Sequence, residues 1–321
     1  MSYPEHLRQS YGLPVFDFPL REDAGGVELP AADSVAWRVS TEVYDSEEGW
    51  PEAFARFCAA VDTTRVRALV TGPCEEAYDD DAGVKPVIDI LVEARAKFPA
   101  LRALFIGDME AEECEISWIN QGDVTRVLES FPELEEFGAR GGTGLVFRTI
   151  THQRLRSLTL ETGGMPAEVV RGIASSDLPA LEQLDLWLGT ANYGGDSEIS
   201  DVAPILDGAR LPRLRHLGLR NSDYQDEIAA AVASAPVVAR LESLDLSMGV
   251  LTEEGATALL EGQPLTHLKS LDLHHNYLSA PMRDRFAQVL GSAGVALDLA
   301  PGNADEEEWD GRVWRYVAVG E

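Results

Sequence analysis

Histidine side chains are the groups in this chain best suited to metal binding or proton transfer. His274 and His275 are adjacent, and adjacent residues of a strand point to opposite faces of a sheet, so the two do not converge on one ion there. Neither His216 nor His267 stands at a metal-ligand spacing from a cysteine. The sequence has no G-x-S-x-G, H-E-x-x-H or G-x-x-x-x-G-K-[ST] motif. We therefore expect no catalytic, metal or cofactor site.

Cysteines and glycines offer little more chemistry. Cys58, Cys74 and Cys114 are few and odd in number, which argues against a disulfide framework. Cys58 lies in an apolar helical stretch, so we expect a buried thiol there rather than a reactive one. The glycine-rich run at 138–144 lacks the lysine of a phosphate loop, and it is interpreted as a turn.

The pattern L-x-x-L-x-L recurs along most of the chain. Clean copies start at Leu101, Leu155, Leu181, Leu214, Leu241 and Leu268, and degenerate copies start at Val66, Leu134 and Gly294. A period within roughly 20–50 residues indicates a solenoid, in which each strand-and-helix unit buries its apolar face against its neighbours. Helices are predicted at 224–235, after Thr252 and after Ser279, where the hydroxyl residues are N-caps.

The segment LKSLDLHHNYL at 268–278 resembles a complete leucine-rich repeat, with Asn276 at the turn. The repeat length and the helical return leg resemble the ribonuclease-inhibitor-like subclass. The resemblance implies an α/β leucine-rich repeat solenoid, an arc with a parallel concave sheet, convex helices and strand caps at both ends. The other repeats lack the turn Asn, so other groups must satisfy the buried backbone of those turns.

Four segments are expected along the chain. They are an irregular lead at 1–33, a capping strand and helix at 34–65, about nine repeats at 66–300, and an acidic loop with a capping strand at 301–321. The first capping strand is indicated by Val35, Trp37 and Val39 on one face, and the last by the alternating residues 313–319.

The composition is strongly acidic, with a net charge of −29 from 55 acidic and 26 basic residues. This field disfavours nucleic acid and favours a basic protein partner, although solubility alone would also explain it. No apolar run suggests a membrane span, so a cytoplasmic protein is expected. The acidic loops at 75–81 and 110–115 are expected to be solvated, with calcium binding as the alternative.

Strand positions 2, 3, 5 and 7, counted from the first residue of each L-x-x-L-x-L copy, should face the concave side. From Glu135 onward position 2 alternates in sign, which favours pairing between neighbouring strands. The last three repeats have aspartate at position 5: Asp245, Asp272 and Asp298. These aspartates are interpreted either as a usual feature of the resembled family or as an acidic stripe that binds a basic ligand. At position 7 Trp187 is expected to be exposed, unless the insertion at 189–200 covers it. The predicted binding patch on this face is Glu161, Asp185, Trp187, Arg220, Asp245, Asp272 and His274.

These observations predict a non-catalytic scaffold that binds a protein partner, possibly a basic one, on the concave face. An inhibitor or immunity-type binder of a basic enzyme is a specific form of this hypothesis. A structural assembly subunit is the alternative, and an enzyme would need a constellation that the sequence does not contain.

Overall fold

The computed structural model describes residues 4–23, 25–43, 46–75, 77–79, 82–304 and 306–320. One sheet of 12 strands runs through it in sequential order, and every neighbouring pair is parallel except β1 with β2. The strands are β1 (Gln9–Ser10), β2 (Leu13–Asp17), β3 (Ala36–Val39), β4 (Ala68–Thr71), β5 (Ala103–Ile106), β6 (Glu136–Arg140), β7 (Ser157–Glu161), β8 (Gln183–Gly189), β9 (His216–Ser222), β10 (Ser243–Asp245), β11 (Ser270–Asp272) and β12 (Ala296–Asp298).

Helices connect most of the parallel strands. They are α1 (Trp50–Ala60), α2 (Lys85–Ala94), α3 (Thr125–Ser130), α4 (Ala167–Ser175), α5 (Ile199–Asp207), α6 (Gln225–Val232), α7 (Glu253–Glu261) and α8 (Ala280–Val289). The Thr252 hydroxyl caps α7 by accepting from the Glu254 amide, and the Ser279 hydroxyl caps α8 by accepting from the Met282 amide. Both predicted N-caps are confirmed.

The predicted row of leucines is continuous and buried. Parallel pairing places five position-4 leucines side by side in register, each at most 1% exposed: Leu158, Leu184, Leu217, Leu244 and Leu271. These side chains and the apolar faces of the helices form one core on the same side of the sheet. Side chains at positions 3, 5 and 7 point to the opposite side, which we call the helix-free face. An open α/β sheet of this kind fits a repeat solenoid.

Two terminal expectations are wrong. The lead at 1–33 is not irregular throughout, because β1 and β2 form a hairpin and β2 pairs with β3. At the other end, Arg312–Trp314 (β14) pairs with Glu307–Trp309 (β13) in a separate hairpin and does not cap β12. Residues 315–320, which we call the tail, then run back across the loops that follow the strands.

The turn asparagine has the role expected for it. The Asn276 Nδ2 donates to the Leu273 carbonyl at 2.7 Å, and its Oδ1 accepts from the Leu278 amide at 3.1 Å. Two repeats earlier, where Ser222 occupies this column, the Gln225 Nε2 donates to the matching Leu219 carbonyl at 2.9 Å. A longer amide side chain from the first turn of α6 therefore satisfies the same buried backbone group.

Candidate binding face

The first half of the helix-free face is covered by the chain's own N-terminal segment. Tyr11, Leu13 and Val15 pack against a row of small position-3 residues, Ala36, Ala68 and Ala103. Small side chains in this row leave room for the hairpin to lie directly on the sheet. The hairpin therefore covers much of this part of the face, and a depression of about 250 Å³ remains beside it over β5, β6 and β7.

A buried ion network fixes this covering segment. The Asp108 carboxylate has no exposed surface and accepts hydrogen bonds from Arg38 Nη1 at 2.8 Å and from the Leu7 amide at 3.1 Å. His6 Nδ1 lies 3.4 Å from the same carboxylate, and His6 Nε2 lies 3.2 Å from Glu113. Hydrogen bonds to Asp108 and Glu113 raise the pKa of His6 to about 9, against a smaller opposing effect of burial.

The acidic loop at 110–115 is thus part of this contact and not merely solvated. The His6 amide donates to Glu110 at 3.0 Å, and Glu113 approaches the His6 ring. The other acidic loop, at 75–81, lies partly outside the described residues.

Glu161 belongs to the covered half of the face. Its carboxylate accepts from Arg140 Nε at 2.7 Å, and the side chains are 11% and 2% exposed. The Arg140 Nη2 also donates to the Glu5 carbonyl at 3.0 Å. Glu161 is therefore occupied by an internal ion pair with Arg140, although it lies on β7 next to β8 and its charge also acts on the Asp185 carboxyl.

Arg220 is the centre of a second ion cluster, on the middle strands. Its guanidinium lies 3.2 Å from Asp185 and 3.3 Å from Asp245, and it stacks 5.1 Å from the Trp187 ring centre. Burial raises the pKa of Asp185 to about 6, with Arg220 opposing that effect. Burial likewise raises the pKa of Asp245 against the effect of Arg220. Two carboxylates thus surround one cation, and the cluster is self-contained.

Trp187 is buried, at 7% exposed, so the expectation of an exposed tryptophan is wrong. It packs in a small cluster with Ile116 and Met248 under two tail residues, Ala318 and Val319. The insertion at 189–200 contributes indirectly, because Tyr193 closely approaches Gly320 of the tail. Trp187 is therefore covered chiefly by the tail and not, as the alternative had expected, by the insertion.

Backbone contacts hold the tail in place. The Ala318 amide donates to the Met248 carbonyl at 2.8 Å, and Ser117 Oγ donates to the Gly320 carbonyl at 2.8 Å. The fully buried Asn221 side chain accepts from the Val319 amide at 3.0 Å and donates to the Val319 carbonyl at 2.6 Å. The tail is bound much as an extended peptide would be, because the amide side chain of Asn221 pairs with both the backbone N–H and the backbone C=O of Val319.

The last three strands leave the helix-free face open. A shallow depression of about 350 Å³ is formed there by the exposed sides of β10, β11 and β12, and Asp245, Asp272 and Asp298 line it beside Ser243 and Ser270. Asp298 is exposed and has no ion pair with any residue the structure describes. This strip is therefore accessible, shallow and acidic.

Each of these three aspartates also stabilises its own turn. The Oδ1 atoms of Asp245, Asp272 and Asp298 accept from the backbone amide two residues later, at 2.9–3.0 Å. A side chain that accepts a hydrogen bond from this amide competes with the pairing between strands. In agreement with this, β10, β11 and β12 are each only three residues long. A structural role explains why aspartate recurs, while the second carboxylate oxygens keep the strip acidic.

His274 lies at the edge of the acidic strip. Its Nδ1 is 2.8 Å from Asp272 Oδ1, and this hydrogen bond raises the pKa of His274. Asp272, His274 and Asp298 each place one ligand atom within 4.8 Å of the others, so these three could hold a divalent cation. His275 points elsewhere, to the Tyr316 carbonyl at 3.0 Å, as expected for adjacent residues.

Several charges at position 2 form ion pairs between neighbouring strands, whereas Arg215 donates to the Arg240 carbonyl. Arg156 Nη2 lies 2.9 Å from Glu182, and Lys269 Nζ lies 2.6 Å from Glu242. Arg102 and Arg156 both approach Glu135 more loosely, at 3.8 and 3.9 Å. Because these side chains are partly or largely exposed, the pairs contribute little to stability, and the column mainly supports strand order.

The three cysteines form no disulfide. Cys58, Cys74 and Cys114 are free thiols, and burial raises the pKa of Cys74 to about 12 and of Cys114 to about 11. Thiols with such pKa values carry almost no nucleophilic thiolate at neutral pH. Within the described residues no helix has the length and apolar character needed to cross a membrane.

The structure places six members of the predicted patch in the Arg220 cluster and the acidic strip, while Glu161 pairs with Arg140; the six are Asp185, Trp187, Arg220, Asp245, Asp272 and His274. Their role in binding stays a prediction. Sequence reasoning missed Asn221, Met248 and His275. All three have positive φ angles, of 56°, 68° and 52°, at one position of three successive repeats. An asparagine, which adopts this conformation more readily than most residues, was the available signal at Asn221.

Comparison with known proteins adds one informative match. No family model and no curated protein matches this chain. A protein from Bacteroides fragilis, whose crystal structure was solved in a structural genomics programme, is 30% identical and superposes with a TM-score of 0.71. The match covers 80% of this chain and 70% of the other. The chain therefore belongs to the same family as that protein.

Proposed function

We propose that this chain is a leucine-rich repeat protein of the ribonuclease-inhibitor-like subclass that binds a basic protein partner without catalysing a reaction. The repeat length, the helices on one side of the sheet and the hydrogen bonds of Asn276 support the subclass. One observation carries the binding proposal. The helix-free face is covered by the chain itself over its first half and open, with an acidic lining, over β10–β12.

The charge balance of the face favours a basic partner. Arg220 is already neutralised by Asp185 and Asp245, so it offers no free positive charge. Asp272 and Asp298 remain, with His274 beside them. Their exposed oxygens would accept hydrogen bonds from lysine or arginine side chains, and the net charge of −29 would speed the encounter.

The partner can be a basic enzyme that this protein inhibits, which is the inhibitor-type form of the proposal. The strip would then occupy a basic surface of that enzyme. A structural assembly role is the competing function. It would use a contact that persists at high salt, whereas steered binding to Asp272 and Asp298 must weaken as salt screens the charges.

Charge-matched variants test the proposal. Asp272→Asn with Asp298→Asn removes two charges from the strip, and Glu227→Gln with Glu254→Gln removes two charges from helices α6 and α7. Affinity for a partner isolated by capture should fall about 10-fold in the first pair, from roughly 1.4 kcal/mol for the two lost contacts together. It should be nearly unchanged in the second pair. Equal losses in both pairs would show that only total charge matters and would refute the strip as the site.

A further inference from the structure

The final strand β12 has an unpaired edge. Its Ala296 amide donates to the Lys269 carbonyl, and its Asp298 carbonyl accepts from the Leu273 amide, so these groups face β11. Backbone groups alternate along a strand, so the N–H and C=O of Leu297 point away from β11. No other strand in the described chain lies on that side. Such an edge can pair with an added strand.

The same end of the molecule exposes apolar side chains. Leu271 and Leu273 in β11 and its turn are 1% and 0% exposed, whereas the equivalent Leu297 and Leu299 are only partly buried. Val289 of α8 is 47% exposed on the last helix. A solenoid needs a cap at its end because the last unit has no following repeat to cover its core.

The two ends of the sheet differ in this respect. The N-terminal end is closed by the hairpin of β1 and β2. The expected C-terminal cap pairs within its own hairpin, and the tail beyond it turns toward Trp187. The open edge therefore adjoins the acidic strip, and both are available to one ligand.

An added strand would place alternate side chains on the two sides of the sheet. Those on the helix-free side would lie beside Asp298 and one strand from Asp272. Those on the core side would lie beside Leu297, Leu299 and Val289. A matching strand therefore alternates lysine or arginine with an aliphatic residue.

We propose that the partner binds by adding an extended segment of alternating basic and aliphatic residues to the edge of β12. This inference rests on the proposed function and specifies how the basic partner is recognised. Backbone hydrogen bonds to Leu297 would supply register-dependent affinity, and Asp298 with Asp272 would select the basic side chains.

A synthetic peptide of alternating lysine and valine tests this inference, with a glutamate–valine peptide as the charge control. Hydrogen exchange at single-amide resolution is measured at Leu297 and Leu299 with and without each peptide. The lysine peptide should slow exchange at both amides at least 10-fold when saturating, and its affinity should decrease with salt. Asp298→Asn should weaken it about five-fold, while Glu227→Gln should not.

The remaining outcomes separate the two proposals. Binding of the lysine peptide without protection at Leu297 would overturn edge pairing while leaving the acidic strip as the site. Equal binding of the glutamate peptide would overturn charge selection. Protection that grows with protein concentration in the absence of peptide would identify a second copy as the occupant and overturn the inference. A last outcome is that the lysine peptide does not bind, while a captured partner still binds and loses affinity in Asp272→Asn with Asp298→Asn. That outcome would overturn edge addition alone.

Discussion

The contact between Asn221 and the tail gives a prediction that can be worked out quantitatively. Asn221→Gly removes the side chain that pairs with both the amide and the carbonyl of Val319, at 3.0 and 2.6 Å. Glycine is the suitable replacement because Asn221 has a φ of 56°, a left-handed conformation that glycine adopts without cost. The variant therefore isolates the clamp from backbone strain.

The expected size of the effect follows from the two lost hydrogen bonds. Each contributes about 1 kcal/mol net, so together they stabilise the docked tail by about 2 kcal/mol. A change of that size corresponds to a roughly 30-fold shift in the docking equilibrium. The apolar contacts of Ala318 and Val319 with Trp187 remain, so the tail should open more often without being lost entirely.

Amide hydrogen exchange measures this opening directly. The amides of Ala318 and Val319 should exchange about 30-fold faster in the variant. In the docked tail the Ala318 amide is bonded to the Met248 carbonyl and the Val319 amide to Asn221, and both bonds are broken when the tail opens. Exchange in the core strands should change little. Unchanged exchange at Ala318 and Val319 in Asn221→Gly would refute the clamp.

Two further predictions concern the core and the N-terminal segment. Leu217→Ala, in the middle of the buried row, should lower the free energy of unfolding by about 3–4 kcal/mol in denaturant titration. Leu297→Ala, at the partly buried end of the row, should lower it by clearly less. Equal losses would contradict the open end. The pKa of His6 is raised to about 9 from 6.5, so its contribution is complete below pH 6.5 and is lost as pH rises through 9. Exchange of the Leu7 amide should therefore accelerate between pH 6.5 and 9 by more than its intrinsic pH dependence. His6→Gln should abolish this extra acceleration. Extra acceleration that persists in His6→Gln would exclude the mechanism.

The repeat pattern predicts the strand register well because the information is local and redundant. Each L-x-x-L-x-L copy independently places its leucines on the core side, and Leu184, Leu217 and Leu244 align as the columns require. Helix starts are equally local, since Thr252 and Ser279 cap helices that begin one residue later.

The covering segments could not be predicted in the same way because their contacts are distant in sequence. His6 meets Asp108, and Val319 meets Asn221, each across about one hundred residues. The alternation expected at 313–319 does not hold, because residues 313–316 are exposed while the adjacent Ala318 and Val319 are both buried beside Trp187. A residue pattern specifies which side of an extended segment is apolar, but it does not specify which surface receives it.

On this proposal the partner occupies the open, acidic strip on β10–β12. A hydrogen-exchange footprint of the wild-type protein with its captured partner reports where the partner binds. Slowed exchange is expected to be concentrated in 243–247, 270–274 and 296–300, with the strands covered by the N-terminal hairpin unaffected. A footprint confined to the outer surfaces of α4–α8, with these three segments unchanged, would contradict it.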